Sequence, residues 1–165
     1  DGSAQFGADF IELFNPGTTS VTLTSAWTIE SRSETAGSYN IRFTGSGQVV
    51  PPGAHFLIVG STYSGAVAGD APFASGITEE SSVVVRNNGV VVDAVCFGCG
   101  TNNFTDHVCE GPIITYTGCS NNINRSFERK PGGALGNCID TGDNAADFNE
   151  ITPSNPQNLA SPPTP

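Results

Sequence analysis

Short apolar runs recur along this chain, each of strand length and each closed by turn-forming residues. Phe10–Phe14 stops at Asn15-Pro16-Gly17, a turn signal, and Val21–Leu23 follows. Ala26-Trp27-Thr28-Ile29-Glu30 alternates apolar and polar side chains as a half-buried strand does, and residues 39–43 repeat the alternation. Val49-Val50 runs into Pro51-Pro52-Gly53, beyond which residues 55–59 form the next strand-like run. Runs at 82–86 and 90–96 flank Asn87-Asn88-Gly89. Asn-Gly between β-branched runs predicts a tight hairpin, because both central residues must take positive φ. Pro, Gly and β-branched residues interrupt every window long enough for a regular helix; residues 71–75 read as a short helical turn. Residues 101–122, rich in Gly, Asn and Cys, read as a long loop. Many short strands with even punctuation predict an all-β sandwich or barrel.

The length of 165 residues fits one domain over residues 1–150, with a Pro-rich tail at 151–165. The hydrophobic fraction of 37%, with 20 glycines besides, permits a true core. Only 13% of residues are charged, so Ser, Thr and Asn must supply the polar surface, as suits an extracellular protein. The net charge of −10 and a single lysine, Lys130, exclude nucleic-acid binding and attachment to anionic lipid. No apolar run approaches the roughly 18 residues of a membrane helix, so membrane insertion is not expected. A chain without methionine that opens on Asp1 reads as a processed or excised piece.

Cysteine usage points to an oxidising compartment. Cys96, Cys99, Cys109, Cys119 and Cys138 are the disulfide candidates, and a stapled loop is expected over about 96–122. Two bridges leave one odd cysteine, and spacing alone does not choose it. The Cys96-Phe-Gly-Cys99 motif follows a strand rather than opening a helix, which argues against redox catalysis. A zinc site from Cys96, Cys99, Cys109 and Cys119, with His107 in reserve, lacks the second close pair that structural zinc favours.

Asp140, Asp143, Asn144 and Asp147 offer three carboxylates and an amide within one short run. Calcium takes six to eight such oxygens, so these are the candidate ligands, and calcium is the one cofactor considered. The competing reading is a set of turn-forming side chains with Asp147 paired to Arg129. His55 lies in an apolar strand, as packing histidines do. No Gly-x-Ser-x-Gly elbow is present, and adjacent Glu79 and Glu80 would point to opposite faces of a strand. No set of acid, base and nucleophile emerges, and no enzyme is expected. Trp27 reads as core. Asn103 and Asn124 head glycosylation sequons.

Several of these segments together resemble a known family. Asp9-Phe10-Ile11-Glu12-Leu13-Phe14-Asn15-Pro16, Trp27-Thr28-Ile29 and Val50-Pro51-Pro52-Gly53-Ala54 are similar to motifs of the lamin tail domain. So are residues 90–95, Ser126-Phe127-Glu128-Arg129 and the run from Asp143 to Phe148. The resemblance spans about residues 9–160 and implies an immunoglobulin-like β-sandwich, of the kind that bacteria export as a non-enzymatic structural or adhesive domain. Members usually carry a strand just before the Asp9 motif. Here residues 1–8 are short and Gly-rich, so an edge is expected to stand open. Partners would be other proteins or cell-surface components. Two further readings are self-assembly into an extracellular filament, through an N-terminal strand or an exposed sheet edge, and calcium-dependent glycan or surface binding.

Overall fold

The computed structural model describes residues 8–73, 76–100, 103–118 and 123–165. In chain order the strands are β1 (Phe10–Phe14), β2 (Val21–Leu23), β3 (Trp27–Ser33), β4 (Asn40–Thr44), β5 (Gln48–Val50) and β6 (His55–Gly60). There follow β7 (Ala71–Phe73), β8 (Ser81–Asn87), β9 (Val90–Cys99), β10 (Ile114–Tyr116) and β11 (Ser126–Arg129). A short helix α1 (Asn144–Asp147) leads into β12 (Phe148–Ile151).

Two sheets pack face to face as an all-β sandwich, one ordered β1-β6-β7 and the other β10-β9-β8-β3-β4. Two-stranded ribbons, β2-β5 and β11-β12, complete it. Register decides which side chains meet. Leu13 lies opposite Phe56 and Ile11 opposite Ile58, so these four share the inner face of the small sheet. In the large sheet Ile29 pairs with Val85 and Phe43, and Val83 with Val95, which makes these the facing layer. Phe56 and Ile58 are fully buried there, with Phe73 and Val83 close behind. The Asn-Gly hairpin between β8 and β9 is present, with φ of 52° at Asn88 and 77° at Gly89.

Both outer faces are covered by irregular chain. Over the large sheet, Tyr39 Oη and Ser82 Oγ lie 2.9 Å apart, the Val108 amide donates to Tyr39 Oη, and Ser82 Oγ donates to Val108 O. These contacts lay Val108 on β8, while Asp106 and His107 meet Arg32 and Ser33 of β3. Over the small sheet runs the Pro-rich tail. Its Pro156 is buried, Gln157 N donates to Glu12 Oε2, and Leu159 N donates to Asp70 Oδ2. The Thr164 amide donates to Gly53 O at 2.8 Å. Gly53 has a φ of 69°, and a Cβ there would stand 2.4 Å from Thr164 O, so the Pro-Pro-Gly turn is also a seat for the tail. The tail thus packs as part of the sandwich.

Three local expectations change. Residues 71–73 form a strand, not a helical turn: Ala71 and Phe73 are buried while Pro72 points out, and proline is tolerated because β7 is an edge. The loop expected at 101–122 contains β10, whose Ile114 and Tyr116 are buried and which pairs in parallel with the end of β9. An apolar alternation of only three residues is too short to stand out in sequence. The pairing of β10 with residues 97–99 extends β9 through Cys99, so the Cys-x-x-Cys motif lies on a strand.

Candidate interaction surface

A groove of about 710 Å³ opens between the sheets alongside β1. Ile11 and Leu13 form one wall, Val85, Val95 and Phe97 the floor, and Trp27 one end. All six pack against the core yet are only partly buried. Inner-face residues of a closed sandwich would be fully covered. The opposite wall is Phe127, whose ring lies 5.5 Å from that of Phe97 and 5.2 Å from that of Tyr116. Burial, reinforced by Glu79, pushes the Tyr116 phenol up to about 12, and its hydroxyl donates to Glu79 O.

Polar backbone also faces this groove. Gly60 N donates to Asp9 O and Asn15 N to Ala54 O, which turns the odd-numbered residues of β1 toward β6. The alternation of an antiparallel pair then turns the N–H and C=O groups of Phe10, Glu12 and Phe14 away from β6. Among the described residues these groups have no backbone partner. Among the described residues β1 is therefore an unpaired edge beside an apolar trough.

At the far end of the groove stands a charged cluster. Arg129 Nη2 lies 2.6 Å from Asp93 and 3.6 Å from Glu110, while Nη1 lies 3.4 Å from Asp140 and 3.5 Å from Asp147. The guanidinium also stacks 4.6 Å over the Phe148 ring. Oxygens of Asp93, Glu110 and Asp140 lie within 4.8 Å of one another, the spacing of a cation site, with Arg129 among them as an internal cation. Desolvation holds the carboxyls of Asp93 and Glu110 above their ordinary range. Asp147 moves the other way, lowered first by the Thr141 hydroxyl that donates to it.

The four residues expected to hold calcium do not converge. Asp143 is the N-cap of α1, accepting from Ala146 N. Asp147 accepts from Thr141 N and Oγ1 as well as facing Arg129, the pairing expected for it. Asn144 is fully buried and bridges the edge of β9, accepting from Cys96 N and donating to Ala94 O, both at 2.9 Å. Of the four, Asp140 alone joins Asp93 and Glu110. Helical spacing was not visible in the sequence, and it is α1 that turns Asn144 and Asp147 inward.

Cys96 and Cys109 form a disulfide that pins the covering segment to β9, and Cys99 is also disulfide-bonded. The Cys96–Cys109 bond removes two ligands from any tetrathiolate zinc site. Cys138 is a free, exposed thiol on the groove lining; Cys119 lies outside the described residues. His107 packs edge-on against Phe104 and Tyr39. Asn103 and Asn124 are both exposed, and their side-chain oxygens accept from Thr105 and Ser154 respectively.

His55 is more than a packing residue. It is fully buried, with Nδ1 2.6 Å from Glu12 Oε1 and Nε2 2.9 Å from Thr164 Oγ1. Carboxylate, imidazole and hydroxyl in line are the parts of a nucleophile relay. Here, however, the Thr164 amide is bonded to Gly53, and neither the groove nor the small cavity beside β4 is lined by His55 or Thr164. The relay latches the tail to β1. Glu12→Ala is expected to leave His55 Nδ1 and Gln157 N without their acceptor, at about 2 kcal/mol, and hydrogen exchange should show faster opening at 157–164 than elsewhere. A variant with unchanged exchange there would show that Glu12 does not hold the tail. Its sequence signal, a polar residue at the centre of β1 opposite an apolar strand, is faint.

No family model matches this chain, and no curated protein matches it.

Proposed function

We propose that this chain is a non-enzymatic structural or interaction domain of an exported protein, of the lamin-tail kind, and that it works by taking an extended peptide strand into the groove beside β1. The observation that carries the reading is the conjunction of β1 backbone groups that have no backbone partner among the described residues with a half-covered apolar floor. Backbone groups give a docking strand its affinity, and alternate side chains entering the trough give it selectivity. Export is supported by the Cys96–Cys109 disulfide, and no helix among the described residues is long and apolar enough to cross a membrane.

Trp27 is the sole tryptophan and lines the groove, so it reports occupancy directly. Titrating a dilute solution of the chain with a short synthetic peptide of alternating valine and threonine should shift its emission to the blue. The amides of Phe10, Glu12 and Phe14 should become protected from exchange at the same time. Saturating peptide that moves neither signal would sink the reading.

A further inference from the structure

We infer that the groove is filled by residues 2–6 of a second copy of this chain, so that copies join head to tail; the inference rests on the strand-docking reading above. Three observations favour this occupant. Gly2-Ser3-Ala4-Gln5-Phe6 alternates small or apolar side chains with polar ones, the period of a strand that buries one face. Gly2, Ala4 and Phe6 would enter the trough while Ser3 and Gln5 faced solvent. The segment has five residues, as β1 has, which at about 3.3 Å per residue covers the whole open edge. It also carries no charge, which suits a rim bearing Asp9, Glu79 and Glu128.

The same segment of the same copy is a poor occupant, for a reason of turn chemistry. Ala8 is buried, Asp9 O accepts from Gly60 N, and Asp9 Oδ2 accepts from Ile77 N. Residues 8 and 9 therefore continue the line of β1. To return along β1 the chain would have to reverse at Phe6-Gly7. A type I′ turn needs positive φ at both positions and a type II′ turn needs glycine at the first, and Phe6-Gly7 meets neither need. A longer reversal would take Phe6 itself out of the strand. In a neighbour no reversal is required. The contact joins two different surfaces, a segment of one copy and the groove of the next, so it builds an open filament, a ring, or, where two copies exchange segments reciprocally, a swapped dimer.

The test uses the full chain. Sedimentation and negative-stain electron microscopy over a concentration series should show multimers or filaments, with exchange protection at Phe10, Glu12 and Phe14 that rises as they form. Phe6→Asp should return the chain to monomers with those amides exposed, and Phe6→Ala should weaken association at least tenfold. Multimers that survive Phe6→Asp would overturn the inference. So would monomers whose β1 amides are protected and become exposed in Phe6→Asp, since the segment would then fill its own groove. Monomers whose β1 amides are exposed, yet protected by the valine–threonine peptide, would remove the second copy as occupant and leave the docking groove standing. If that peptide also fails, both readings fall.

Discussion

Replacing Arg129 with alanine is expected to destabilise the fold by about 4 kcal/mol, the range for removing one partner from a buried ion pair. The guanidinium is 10% exposed and stands among carboxylates from four separate segments: the β8–β9 hairpin arm, the covering loop, the run before α1, and α1 itself. Without it they repel. Two of those groups, Asp93 and Asp140, are about half exposed, so water screens part of the loss, whereas Glu110 and Asp147 are more enclosed. The pH dependence has a definite sign. Asp93 and Glu110 are held above their ordinary 3.8 and 4.5, so their contribution to stability is full below those values and is lost as pH rises through the raised ones. Losing Arg129 removes the one influence that pulls both back down through its charge, so they should rise further. The variant's melting temperature should therefore recover toward that of the parent as the solution is taken from neutral to mildly acidic, near pH 5. Asp147 works in the opposite direction, being lowered, and its contribution is lost only as pH falls below its ordinary 3.8. A deficit that stays constant across this window would mean that Arg129 acts by packing on Phe148 and not by charge. Arg129→Lys should recover only part of the loss, because an ammonium cannot present two nitrogens to opposite sides of the cluster.

How much of this was legible in the sequence follows from the reach of each signal. Strands of five residues or more could be read locally, β1 and β8 as apolar runs closed by turn residues and β3 by its alternation, and the Asn88-Gly89 turn announced its own geometry. β7 and β10 could not, since three residues carry too little periodicity and their place comes from pairing in parallel with distant strands. The run from Asp140 to Asp147 was visible as chemistry but not as geometry: carboxylates close in sequence are turned apart by α1, while Asp93 and Glu110 are brought in from elsewhere. The relay through Glu12, His55 and Thr164 joins residues 43 and 109 positions apart, and nothing local marks such a contact.

The edges of the two sheets differ in a way that bears on function. Open edges invite pairing with other chains, and proteins blunt them with proline, charge, irregularity or brevity. β7 is three residues long and carries Pro72; β10 is as short. β4 carries Arg42 at its centre and pairs with β3 through an irregular register. β1 has five residues, unbroken register and no proline, and its one charged side chain is turned to His55 on the far face. Such an edge, without a partner among the described residues and beside an apolar groove, fits the strand-docking reading proposed above.

Asn144→Ala should cost about as much as losing Arg129, and it tests the closing of the other vulnerable edge. β9 is paired by β10 only at residues 97–99. Just before that, the Asn144 amide stands in for a missing strand, offering an acceptor to Cys96 N and a donor to Ala94 O with no exposed surface. Alanine leaves both backbone groups buried without partners, at roughly 1–3 kcal/mol each. For a chain of this size the loss corresponds to a fall in melting temperature of roughly 10 °C. The amides of β9 should lose exchange protection first, since the Cys96–Cys109 bond still ties the covering loop in place. Asn144→Asp restores the shape and the acceptor for Cys96 but lacks the donor for Ala94, and it sets a carboxylate close to Glu110, whose backbone carbonyl already accepts from Asn144 N. It should be no more stable than the alanine variant at neutral pH. An aspartate variant as stable as the parent would show that the donor to Ala94 O contributes nothing and that the edge of β9 is closed by packing alone.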